Sequence, residues 1–228
     1  MQAFRVWGDV YIVGGPAISH PLDCCVYLIN TGKLILIDAG TGNSFSLLIN
    51  NIRRLGLIPE NLAFIIATHR HIDHVGGLAE FKQVYNVKTI AHELDADAIE
   101  SGQGVGAEFY GIKYHPCSID IRLTENETEL NLGKHTLKIL HIPGHTSGSL
   151  AIYLDIGSKR VLFGQDLHGP YETVFGGDVC QAIVSLRKLL ELNADILCEG
   201  HYGICQPATE VSQYIKDYLN LLERRTFR

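Results

Sequence analysis

The chain carries little that would cross-link it and nothing that would span a bilayer. Its six cysteines, Cys24, Cys25, Cys117, Cys180, Cys198 and Cys205, include no CxxC pair, and a 228-residue chain has no need of a disulfide framework. Reduced thiols packed in a core are expected. No apolar run approaches about 18 residues, and the opening MQAFRVWGDVYIVGG is interrupted by Arg5 and Asp9. Neither a transmembrane helix nor an export signal is predicted, which points to a cytoplasmic protein without a membrane partner. Basic excess is missing too. With 19 Lys and Arg against 25 Asp and Glu, the net charge of −6 supplies no general field for phosphate backbones, so nucleic acid is disfavoured. The GxSxG elbow, the P-loop and the dinucleotide fingerprint are absent as well.

What remains is a composition of 46% hydrophobic and 19% charged residues, suited to a globular chain that buries about 70% of its unfolded surface. Strands are predicted at Phe4–Trp7, Val10–Val13, Cys24–Asn30 and Lys33–Ile37, forming a meander with a Thr31-Gly32 turn. A helix over Ser44–Leu55 follows from apolar positions Phe45, Leu48, Ile49 and Ile52, and Leu62–Ala67 reads as a buried strand. Helices near Leu78–Phe81 and over Glu93–Glu100 flank a strand at Val87–Ala91. Further strands are expected at Glu129–Leu132, Thr136–His141, Leu150–Leu154, Arg160–Gly164 and Ile196–Cys198, with helices over Val179–Leu192 and Glu210–Glu223. Ser101–Pro116, rich in glycine and aromatic rings but without period, reads as a mobile loop near a site. No linker or repeat appears, so residues 1–228 are expected to form one domain: a four-layer αββα sandwich of two facing mixed sheets with outer helices.

The densest chemical signal is Thr68-His69-Arg70-His71-Ile72-Asp73-His74-Val75-Gly76-Gly77, directly after a buried strand. In an extended segment His69 and His71 point the same way, and Asp73 and His74 fall beyond a bend. Imidazole and carboxylate suit zinc, iron and manganese, so two adjacent metal sites could share this loop. Further candidates end apolar strands with glycine nearby: His145 in Pro143-Gly144-His145-Thr146-Ser147-Gly148, Asp166 in Gly164-Gln165-Asp166, and His201 in Glu199-Gly200-His201.

In these elements, taken in order across most of the chain, the sequence resembles the metallo-β-lactamase-fold hydrolase superfamily, and most closely its glyoxalase-II-like branch. The resemblance implies two divalent ions per chain, zinc first and iron or manganese as alternatives. It implies a first ion on His69, His71 and His145, a second on Asp73, His74 and His201, and Asp166 bridging both, with Asp38 behind the metal loop supporting its hydrogen bonds. Asp73 and Asp166 are then the candidate catalytic carboxylates. Two divalent ions opposed by these carboxylates and one hydroxide leave a residual positive charge that favours a developing oxyanion. A hydroxide nucleophile would cleave a thioester, ester or lactone of a small molecule. After His201 only one helix's length of chain follows, so the glutathione-binding extension of full-length glyoxalase-II members is not expected. Lactonases and single-iron persulfide dioxygenases share the scaffold; in the latter the iron would sit on His69, His145 and Asp166. Antibiotic hydrolysis and RNA processing rank below these. A ligand sensor would more naturally have lost part of the metal set, and homo-oligomerisation stays open.

Other residues are weighed separately. His168, Tyr171 and His115 are candidate substrate contacts, and Phe109, Tyr110 and Tyr114 candidate pocket walls. His92, His141, His20 and His135 are expected to be structural or solvated, and Cys198 an inert core thiol.

Overall fold

The computed structural model describes residues 1–226. Its first sheet contains β1 (Phe4–Trp7), β2 (Val10–Gly14), β3 (Val26–Asn30), β4 (Leu34–Ile37), β5 (Leu62–Ile66), β6 (Lys88–His92) and β7 (Ile121–Leu123), in that spatial order. β1 to β4 form the antiparallel meander, and β4 to β7 run parallel. The second sheet contains β8 (Glu127–Leu132), β9 (His135–His141), β10 (Leu150–Ile156), β11 (Lys159–Gln165), β12 (Ile196–Glu199) and β13 (Ile204–Cys205). Its order is 13-12-11-10-9-8, antiparallel except for the parallel pair β11 and β12.

Strand residues alternate between two apolar layers because both faces of each sheet are covered. Tyr27 and Ile29 of β3, Ile35 and Ile37 of β4 and Ile66 of β5 meet Ile139, Ile152, Val161 and Phe163 between the sheets. Their neighbours Val26, Leu28, Leu34, Leu36 and Ile65 face outward beneath α1 (Phe45–Arg54), α3 (Leu78–Tyr85) and α4 (Glu93–Ser101), through Leu48, Ile52, Phe81 and Ile99. On the far side Leu140, Ala151, Leu162 and Leu197 pack under α6 (Val179–Glu191) and α7 (Ala208–Thr226), through Leu186, Leu189, Val211 and Ile215. The expected αββα layering is present. No described helix is long and apolar enough to cross a membrane.

Differences from the expected elements are local. The strand expected from Cys24 starts at Val26, because the Cys24 and Cys25 N–H groups turn away to donate to the carbonyls of Asp73 and Gly200. A one-turn helix, α2 (Ile72–Val75), forms inside the histidine motif, and another, α5 (Ala107–Tyr110), forms inside the expected 101–116 loop. Both are too short for a 3.6-residue period to be read in the sequence. The close turn at Gly76-Gly77 is required by contact: a Cβ on Gly77 would overlap the Ala39 carbonyl and one on Gly76 the Thr41 carbonyl. Leading parallel strands of both sheets, β4, β5, β11 and β12, end toward the same edge of the sandwich, where the polar residues that follow them gather.

Candidate metal centre

Asp38 begins the construction. It follows β4 in a left-handed conformation, with φ 64°, and is wholly buried. Its Oδ1 accepts from the Thr68 N–H at 2.8 Å and its Oδ2 from Thr68 Oγ1 at 2.8 Å and His74 Nδ1 at 2.7 Å. Gln165 Nε2 donates to the same Oδ2 from the second sheet. One carboxylate, accepting from four donors, thereby ties the loops after β5 and β11 together.

The loop after β5 presents His69 and His71, and the turn between β9 and β10 presents His145. The His145 Nδ1–H donates to the Pro170 carbonyl at 2.7 Å, and the His71 Nε2–H donates to the Phe175 carbonyl at 3.1 Å. A carbonyl can only accept, so the opposite ring nitrogens carry lone pairs. Those lone pairs converge: His145 Nε2 lies 2.9 Å from His71 Nδ1 and 3.2 Å from His69 Nε2. Burial pushes His69 well below the usual imidazole range, lowers His71 and brings His145 down to about 3. Three neutral acceptors facing one point with no donor among them fit a cation.

A second group lies beside the first. Asp73 Oδ2 is 3.2 Å from His201 Nε2 and 3.5 Å from His74 Nε2. Asp166, at the end of β11, reaches both groups: Oδ1 is 3.3 Å from His74 Nε2, while Oδ2 is 3.3 Å from His201 Nε2 and 3.4 Å from His145 Nε2. Burial opposes charge on His201, but hydrogen bonding to Asp166 and Asp73 raises it to about 10. Burial likewise opposes charge on His74, yet Cys24, Asp166, Asp73 and Asp38 hold it well above its ordinary value. Asp166 stays well below the usual carboxylate range because His74, His201 and His145 outweigh its burial. His74 Nε2 and Asp166 Oδ1 are buried without a hydrogen-bond partner. The two atoms lie 3.3 Å from each other, and polar atoms with no better partner are costly in a protein interior; a divalent ion taking the place of the imidazole proton would satisfy both.

Thus the structure brings together all seven residues expected as ligands: His69, His71, Asp73, His74, His145, Asp166 and His201. It separates the three candidate substrate contacts. His168 lines the cleft over the centre, its Nδ1–H donating to Glu199 Oε1 at 2.7 Å. Tyr171 is buried in the layer beneath α6, its hydroxyl donating to the Leu167 carbonyl, so it does not face the cleft. His115 lines another groove, with Thr41, Glu80 and Lys113, beyond α5. Of the three candidate rings, Phe109 and Tyr110 line the cleft, whereas Tyr114 turns inward to donate to the Ile99 carbonyl at 2.9 Å. His141 and His92 are structural: His141 donates to the Ser147 carbonyl at 2.8 Å, and His92 caps α4 through the Leu94 N–H. Cys198 is fully buried, and burial pushes its thiol well up.

Two supporting carboxylates carry no signal in the sequence. Asp95 is buried under the first histidine loop. It accepts from the Arg70 N–H and Arg70 Nη1 on one side, and from Thr146 Oγ1 at 2.6 Å and the Gly148 N–H at 3.1 Å on the other. Glu199 accepts from His168 through Oε1 and from the His201 and Tyr202 N–H groups through Oε2, at 2.6 and 2.9 Å. Gly200, between Glu199 and His201, leaves Asp166 in place, since a Cβ there would overlap Asp166 Oδ1 and displace it. The cleft encloses about 350 Å³, with Val105, Phe109, Tyr110, Pro170 and Phe175 as its walls.

This fold and this centre define a metal-binding protein of the αββα sandwich class. Residues 21–201 match the Metallo-beta-lactamase superfamily, and the chain belongs to it. It is 35% identical over 190 residues to a probable metallo-hydrolase of Methanocaldococcus jannaschii, covering 77% of this chain and 85% of that protein. It is 31% identical over 195 residues to a hydroxyacylglutathione hydrolase of Haemophilus influenzae, covering 82% of this chain and 88% of that protein. Among solved structures, the metallo-beta-lactamase GOB-18 of Elizabethkingia meningoseptica superposes with a TM-score of 0.79 at 26% identity, covering 99% of this chain and 90% of that one. A metallo-beta-lactamase from Cronobacter sakazakii superposes at 0.82 with 21% identity, covering 99% of this chain and 97% of that one, a likeness of fold.

Proposed function

We propose that the protein is a hydrolase of a small acyl compound, a thioester, ester or lactone, that works with two divalent metal ions. The observation that carries this reading is the position of Asp166, whose two oxygens lie within 3.4 Å of histidine nitrogens from both groups. His69, His71 and His145 would hold one ion and Asp73, His74 and His201 the other, with zinc the first candidate and iron or manganese alternatives. When bound, such a pair lowers the pKa of a coordinated water from 15.7 to about 7 and polarises a carbonyl, supplying nucleophile and electrophile at neutral pH.

The chain's own residues prepare that chemistry. Backbone carbonyls of Pro170 and Phe175 fix the tautomers of His145 and His71, so their lone pairs are presented without a proton to remove. Asp38 orients His74, and Glu199 holds the backbone of His201. Asp166 and Asp73 offset the cationic charge and leave enough of it to favour an oxyanion. Tyr110 lies against Asp73; burial and that carboxylate raise its pKa, keeping it a hydrogen-bond donor on the cleft wall at neutral pH. In the reaction one water adds to the acyl carbon and the carbon–sulfur or carbon–oxygen bond breaks. The products are a carboxylic acid and a thiol or alcohol. The names of the metallo-hydrolase and hydroxyacylglutathione hydrolase relatives support the reaction class.

Metal identity and stoichiometry on protein purified without chelator or affinity-tag metal test the reading. Two ions per chain with turnover on a thioester, ester and lactone panel are expected. A single iron with oxygen consumption on a persulfide would replace it with a dioxygenase built on His69, His145 and Asp166.

A further inference from the structure

We infer that the substrate is electrically neutral and lays an apolar arm on the wall formed by Val105, Phe109, Pro170 and Phe175, an inference that rests on the hydrolase reading above. The cleft's approximately 350 Å³ lies at the lower end of ligand-binding cavities, so it admits a small molecule and little of a peptide arm. Among the described residues lining it there is no lysine or arginine. Its acidic members, Asp73 and Asp166, belong to the metal centre, as does His201, and its remaining polar side chains are His71, His145, His168 and Tyr110.

The cations in the neighbourhood are engaged or directed elsewhere. Arg70, close behind Gly176, is paired with the buried Asp95 at 2.9 Å. Lys113 lines the separate groove with His115. A carboxylate on an arm laid against this wall, away from the metal centre, would therefore be desolvated at a cost and gain no cationic partner there. A glutathione thioester, whose arm carries two carboxylates and an ammonium, meets that cost; an alkyl arm does not.

The wall itself is built to be covered. Phe109, on α5, is 62% exposed, and its ring meets that of Phe175 edge to face at a centroid distance of 5.5 Å. The two rings come from segments more than sixty residues apart and meet at the mouth of the cleft, where an apolar arm would remove their faces from water. α5 is bounded by Gly106 and Gly111, both left-handed at φ 78° and 63°, which set the short helix over the centre.

The test uses the metal-loaded full chain and a pair of thioesters sharing one acyl group, one on a neutral alkyl thiol and one on glutathione. We expect kcat/KM to be at least tenfold higher for the alkyl thioester. Phe109→Ala and Phe175→Ala should each raise KM for it about three- to tenfold with kcat little changed, and Phe109→Leu should restore most of the loss. Equal or better turnover of the glutathione thioester, or unchanged KM in both alanine variants, would overturn the inference. If neither thioester is cleaved, the thioesterase form of the hydrolase reading fails on its own account. Binding of the matching non-hydrolysable amides, followed by calorimetry, then decides: tighter binding of the alkyl amide supports the neutral apolar site, and equal or weaker binding rejects it.

Discussion

The molecule holds two buried clusters of histidine whose chemistry is opposite. In the cluster of His69, His71 and His145, the edges carrying lone pairs meet, with nitrogen to nitrogen distances of 2.9 and 3.2 Å. In the pair His92 and His141, the rings stack face to face at a centroid distance of 3.8 Å and an angle of 10°, and each ring spends one nitrogen on the local backbone. Both clusters are built from imidazoles that are buried or half-buried. The direction in which the remaining nitrogens point separates a metal-binding arrangement from a structural one, and that direction is set by which carbonyls and carboxylates stand behind each ring.

Breaking the first cluster should have the largest effect. Asp166→Asn replaces a carboxylate that reaches both groups with an amide. The expected outcome is loss of at least one ion and about a hundredfold or greater fall in kcat, with the melting temperature of the metal-free protein nearly unchanged. Metal analysis beside matched melting curves checks it, and a variant that keeps two ions and its full rate would remove Asp166 from the centre. Asp38→Asn acts one layer back, leaving His74 Nδ1 and Thr68 without a charged acceptor. Metal affinity should fall by about ten- to a hundredfold, read by competition with a chelator. Glu199→Gln should be milder, with kcat/KM reduced about tenfold and metal content retained, because the His201 backbone keeps most of its contacts.

The stacked pair sharpens the contrast from the other side. His92→Phe preserves a planar ring against His141 and should leave metal content and turnover unchanged. Its signature is instead in stability against pH. Burial and the neighbouring His141 lower His92 to about 4 in the folded protein, against about 6.5 for a free imidazole. Between these values the unfolded chain binds more protons at this position, so the native protein loses stability as pH falls from about 6.5 toward about 4. Urea midpoints across that window should fall less steeply in the variant than in the wild type; parallel curves would show that His92 titrates normally.

The two clusters also show what could be read in advance. The motif from His69 to His74 was legible because four ligand-type residues within six positions have little use as a solvated turn, and His145, Asp166 and His201 because each follows an apolar strand beside glycine. Asp95 and Glu199 were not legible. Asp95 is one of four acids in α4 and Glu199 a single acid ending β12, and the importance of each lies in partners such as Thr146 and His168 that are distant in the chain. Gln165, adjacent to Asp166, carries no signal of its own in the sequence because its partner Asp38 follows a strand of the opposite sheet. Tyr171 stands close to Asp166 in the sequence, but its ring packs beneath α6, which spacing alone cannot reveal. For the fold, continuous apolar runs such as Leu34–Ile37 announced strands covered on both faces, without showing which side chains face the opposite sheet.

By itself the sequence determined the kinds of ligand, their order and their attachment to strand ends, since these depend on residue identity and short-range pattern. Only the tertiary structure decided how closely they come together. His145 meets His69 across 76 residues, and its free nitrogen faces inward because the Pro170 carbonyl, 25 residues further on, occupies the other. Coordination requires lone pairs to converge within a few ångströms, and that convergence is created when the loops of two sheets meet at one edge.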